Sequence, residues 1–144
     1  MEIAKTPVHL WIVGGLSLIW NAFGGYDYVM TQSNNGAYLE MFTPQQRAFF
    51  ESFPVWMEAA WAFGVWGAIV GSVLLLMRSH NAVMAFIVSL AGLAFSTLWQ
   101  FGLSGVDVTA ILGTVAVIMN VVIWAVAILL LVYAWRQRTN GVLR

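Results

Sequence analysis

Asp27, Glu58 and Asp107 are three of six acidic residues in a chain of 144, and they fall near the ends of long apolar segments that hold no Lys or Arg. A carboxylate turned toward hydrocarbon costs on the order of 2.5 kcal/mol or more. Glu58, about one turn into its segment, is therefore expected to point inward and to find a partner or a proton. Arg47, the Tyr26 or Tyr28 hydroxyl, Gln100 and a bound cation are the candidate partners. Tyr28, Trp56, Trp61 and Trp99 stand at similar depth and would supply aromatic walls. Together with Asp27, Glu58 and the Gln100 amide they outline an outward-facing acidic and aromatic pocket. Such a pocket suits an organic cation, through ion pairing and cation–π contact, or a sugar stacked on Trp. The plainer reading is that Arg47 or a Tyr pins Glu58 while Asp27 is solvated at the interface.

Other chemistry finds little support in the residue types. Gly102-Leu-Ser-Gly has the form of an intramembrane serine nucleophile, but His9 and His80 both fall on the opposite side of the membrane, so no Ser–His dyad is expected. The chain has no Cys and one Lys, Lys5, which lies outside the apolar segments. That pattern leaves no thiolate metal site, no thiol nucleophile and no buried Schiff base. No Glu-x-x-His pair, P-loop or dinucleotide fingerprint occurs. No enzyme activity, metal or cofactor is expected. Six bases balance six acids, leaving no basic surface for nucleic acid.

Composition dictates the framework that carries these side chains. With 61% hydrophobic and 8% charged residues and a mean hydropathy of +0.83, the chain is far from the roughly 25% charged content of soluble domains. Four segments are long enough to span a bilayer as helices, at about 8–30, 54–77, 82–103 and 109–135, and none shows the alternation of a barrel strand. The fold class expected is an all-α membrane protein: a four-transmembrane-helix bundle forming one domain over 1–144. The first segment is too long for a cleaved signal and lacks an A-x-A site, so it is expected to stay as a span. Lys5, Arg78, Arg136, Arg138 and Arg144 gather on one side against Arg47 on the other, which predicts cytoplasmic termini. The one long connection, 31–53, forms an outer cap. Within it, Thr43-Pro-Gln-Gln46 reads as a capping box with Pro at the first helical position, opening a short amphipathic helix from Pro44 to about Ser52.

Helices in lipid associate through small residues and interhelical hydrogen bonds. Gly14, Ser17 and Asn21 on the first span, Gly64, Gly67 and Gly71 on the second, Ser89, Gly92 and Ser96 on the third, and Gly113 and Asn120 on the fourth mark an inward stripe on each helix. Asn21, Ser96 and Asn120 are the expected polar packing residues and the expected partners for the indoles of Trp20, Trp66 and Trp124.

The run His9-Leu-Trp, Trp20-Asn-x-x-Gly, Asp27-Tyr-x-Met-Thr, Phe42-Thr-Pro-Gln-Gln, Pro54-x-Trp, Gly71-Ser-x-Leu-Leu and Gly141-Val-Leu resembles a group of small four-span proteobacterial inner-membrane proteins of unassigned function, some labelled "sugar transporter". The resemblance covers nearly the whole chain and implies a bacterial inner membrane, without assigning any site residue. Two functions are expected from the residues: a non-enzymatic accessory, scaffold or binding subunit docking on a membrane-protein partner or on further copies of itself, or a small-solute or proton-linked transporter working as an oligomer.

Overall fold

The computed structural model describes residues 4–144, and within them four helices are long and apolar enough to cross a membrane. Helix α1 covers Val8–Gln32, α4 Val55–Leu76, α5 Asn81–Leu98 and α7 Thr114–Thr139. The short helices α2 (Gly36–Leu39) and α3 (Pro44–Glu51) form the cap between α1 and α4, and α6 (Val108–Leu112) precedes α7. No strand occurs among the described residues. The chain is an all-α, multi-pass membrane protein.

One boundary and one local geometry depart from a plain reading of four straight helices. The fourth span begins at Thr114 rather than near 109, because Gly113 takes φ 89° and breaks the helix, leaving α6 as a separate turn capped by the Asp107 side chain on the Ala110 N–H at 3.1 Å. The third span ends in a π-helical turn, Trp99–Leu103, in which the Ser104 N–H reaches the Trp99 carbonyl at 2.8 Å and the Ser104 hydroxyl bonds the Gln100 carbonyl at 2.6 Å. The capping box of α3 closes both ways, Thr43 Oγ1 accepting from the Gln46 N–H and Gln46 Oε1 from the Thr43 N–H.

Packing runs in the order α1, α4, α5, α7. The α4–α5 hairpin is the closest pair because glycines remove the side chains between the two backbones. A Cβ on Gly92 would collide with the Gly64 backbone at 2.5 Å, and the Ser89 hydroxyl donates to the Gly64 carbonyl at 2.6 Å. Gly67 faces the Ser89 backbone, Gly14 faces Leu76 and Gly25 faces Ile69. These glycines are used within the chain, as the inward stripes require. On the outer flank of α4, Asn21 Nδ2 and the Ser17 hydroxyl both donate to Ser72 Oγ at 3.0 Å, tying α1 to α4.

Helices α1 and α7 close the row only at one end. There His9 Nδ1 and the Tyr133 hydroxyl share a 2.5 Å hydrogen bond, and Leu10, Leu75, Val83, Phe86, Leu130 and Ala134 bury one another. The same end holds the turn after α4. Arg78, at φ 58°, terminates α4 with the Ser79 N–H on the Leu74 carbonyl, a Schellman closure. Its guanidinium donates to the Val142 and Ala4 carbonyls at 3.2 and 3.5 Å, and its carbonyl accepts the Arg144 N–H at 2.8 Å. The opposite end is closed by Phe49, Met57, Trp99 and Val108 beneath the cap.

Candidate functional site

Between these two ends the row of helices curls round a cleft of about 510 Å³. All four spanning helices contribute to its lining: Trp20, Asn21, Phe23, Gly24 and Asp27 from α1, Trp61, Gly64, Val65 and Ala68 from α4, Phe86, Ser89, Leu93 and Ser96 from α5, and Asn120, Ile123, Ala127 and Leu130 from α7. Gln100 joins them from the π turn. A π turn adds one residue to a helical turn and so rotates the residues beyond it, and such turns recur at functional sites. Among the described residues, Asp27 is the only charged one in this lining, and Lys, Arg and His are absent from it. The walls are otherwise apolar and aromatic, crossed by the amides of Asn21, Gln100 and Asn120.

Asp27 is held from above. The Tyr38 hydroxyl, on α2, donates to its Oδ1, and the second carboxylate oxygen has no hydrogen-bond partner among the described residues. Asn35 caps α2 by accepting the Tyr38 N–H at 3.0 Å, which fixes the base of that ring. Tyr38 packs edge-on against Tyr26 and Phe42. Burial, and then the hydrogen bond and negative charge of Asp27, push the Tyr38 phenol well above its ordinary range, so it stays a donor at every physiological pH.

The single vestibule expected from Asp27 and Glu58 together is divided in two. Glu58 lies in the first turn of α4, level with Thr31, Gln32 and Asn34 at the end of α1, whereas Asp27 is a turn deeper. Glu58 lines a separate space of about 110 Å³ with Arg47 and Glu51 of the cap, where the Arg47 Nε is buried without a hydrogen-bond partner among the described residues. In that position Glu58 complements the positive end of the α4 dipole and the nearby guanidinium. Glu58 shares this space with Arg47, but no hydrogen bond joins Glu58 to Arg47 or to a Tyr among the described residues, while Asp27 lines the cleft.

The aromatic candidates divide in the same way. Trp61 lines the cleft and packs edge-on against Tyr28 at 4.9 Å between centroids, and Tyr28 also meets Trp66. Trp99, 8% exposed, is buried beneath the cap against Phe49 and Phe53 and does not line the cleft. Trp56, 46% exposed, faces away from the bundle. Asn21 and Asn120 face the cleft as packing residues would, but Asn120 makes no hydrogen bond among the described residues, and the Ser96 hydroxyl returns to its own helix at Leu93. The Trp124 indole takes Thr97 Oγ1 at 3.1 Å in place of the expected Asn120 or Ser96. Tyr38, Trp20 and Phe23 are not site candidates on sequence alone. A Tyr in a polar connecting loop carries no signal of its own. The position of Trp20 beside Asn21 is the available hint.

Comparison with known protein families, with curated proteins and with solved structures returns no match to this chain. The geometry of the cleft therefore carries the functional reading by itself.

Proposed function

We propose that this protein is a non-enzymatic binding subunit of a bacterial inner membrane, with both termini in the cytoplasm, and that it holds a small molecule in the cleft between α1 and α7. The observation that carries this reading is the cleft itself: about 510 Å³, within the roughly 300–1,000 Å³ of small-molecule sites, mostly apolar, with a few convergent polar groups. Helix packing alone gives no reason to gather Asp27, Gln100 and Asn120 around one space, because amides in spans are normally consumed by helix–helix bonds, as Asn21 is by Ser72. The basic residues at the end bearing the termini support the orientation. Accessory action on a partner protein fits a subunit whose α7 is very apolar, with a mean hydropathy of 2.9, and little covered by its own chain.

Photo-crosslinking tests the reading. A benzophenone amino acid at Asn120, irradiated in native membranes, is expected to yield adducts of small-molecule mass. Adducts with another polypeptide alone would show instead that a partner helix fills the cleft.

One observation favours transport as a second reading. The cleft runs from Asp27 at the cap end down to Phe86 and Leu130, which belong to the cluster closing the other end, an arrangement a carrier open to one side would have. Uptake into vesicles that is lost in Asp27→Asn would support it.

A further inference from the structure

Resting on the reading of the cleft as a binding site, we infer that its ligand is a lipophilic organic monocation that enters sideways from the bilayer through the gap between α1 and α7. Three observations converge. Among the described residues the lining carries one acid and no base, so an ionised Asp27 leaves the site with one uncompensated negative charge. Its Oδ1 is occupied by Tyr38 while the other oxygen has no partner among the described residues, which leaves an acceptor for a single cationic group. The walls are aromatic, with Trp20, Phe23, Trp61 and Phe86 in the lining, and aromatic faces attract a desolvated cation where they would gain nothing from an anion. A strongly hydrated metal ion or a polyol is a poor fit, because the apolar walls cannot replace its lost water.

The packing order gives the route. Glycine contacts and the Ser17–Ser72–Asn21 bonds close α1 on α4 and α4 on α5, and α5 meets α7 through the Trp124–Thr97 bond, whereas α1 and α7 touch chiefly at the His9–Tyr133 end. On α1, Phe23 at 70% exposed flanks that gap, and a side chain on Gly24 would meet nothing within 4 Å. Gly24 thus gives a way to fill the cleft without disturbing the bundle.

Equilibrium dialysis of the detergent-purified protein against tetraphenylphosphonium tests the inference, with tetraphenylborate as the probe of equal shape and opposite charge. One cation is expected to bind per chain. Asp27→Asn should weaken it by about tenfold or more, as expected for loss of the Coulombic attraction between a carboxylate and a desolvated cation that has no donor of its own. Asp27→Glu should retain it, which separates loss of charge from loss of folding, and Gly24→Phe should abolish it. Tetraphenylborate should not compete. No binding of the cation, equal binding of both ions, unchanged binding in Asp27→Asn, or unchanged binding in Gly24→Phe would each overturn the assignment. Failure of charge discrimination together with sensitivity to Gly24→Phe would leave the cleft as a site for a neutral ligand. Failure of the Asn120 photo-crosslinking to give small adducts would remove the site altogether.

Discussion

The Tyr38 hydroxyl donates to the Asp27 carboxyl oxygen Oδ1, so a four-residue helix in the cap holds the acidic side chain that lines the intramembrane cleft. The bond couples cap to span. If it orients Asp27, Tyr38→Phe should destabilise the protein by about 1.5–3 kcal/mol, the usual worth of a hydrogen bond to a charged group, and should weaken cation binding while leaving its stoichiometry unchanged. Chemical unfolding in detergent and the dialysis measurement read the two effects.

The raised pKa of Tyr38 gives a pH prediction with a definite sign. A phenol whose folded-state pKa lies above its unfolded value contributes stability that is complete below the unfolded value, about 10, and is lost as pH rises through the folded value. The Asp27–Tyr38 contact should therefore persist across neutral pH and fail only in strong alkali. Ultraviolet titration should show phenol ionisation later than that of free tyrosine, and the amplitude of the late phase should fall in Tyr38→Phe.

Two glycines make opposite predictions. Gly92→Leu drives a side chain into the Gly64 backbone and should cost about 1–3 kcal/mol or more by overpacking, whereas Gly24→Leu enters open space and should leave thermal stability nearly unchanged. Melting curves of the two variants in the same detergent check the contrast; equal losses would mean the α4–α5 contact is not as close as described.

The absence of Cys makes topology simple to map. Single cysteines at the exposed Gln45 and Asn81 should react with a membrane-impermeant thiol reagent from outside and from inside the cell, respectively. The reverse pattern would put the cap in the cytoplasm and require a different source for the ligand.

Much of this architecture is legible in the residues. Span length and continuous apolarity identify four crossing helices, and Thr43, Pro44 and Gln46 specify the start of α3 by local chemistry that tertiary contacts need not supply. Glycine spacing marks the inward faces, since Gly64 and Gly92 have little other use in a helix. The features hidden from sequence depend on rotation and register. Hydropathy runs straight through Gly113, whose positive φ ends one helix and begins another. The π turn at Trp99–Leu103 leaves no mark in the hydropathy, and Gln100 reaches the cleft from within it. Asp27 and Glu58 have similar depth along their helices, yet a difference of about one turn assigns them to separate spaces. Trp124 pairs with Thr97 over Asn120 for the same reason: depth restricts partners, and helix rotation selects among them.

Native mass spectrometry of the protein released from its own membranes compares wild type with Gly24→Phe and bears directly on whether the cleft is a binding site. The wild type should carry an additional small mass that survives mild activation, and Gly24→Phe should be bare. A wild type that is bare under the gentlest release, or a mass retained equally by Gly24→Phe, would contradict the reading of the α1–α7 cleft as the place where this protein holds its ligand.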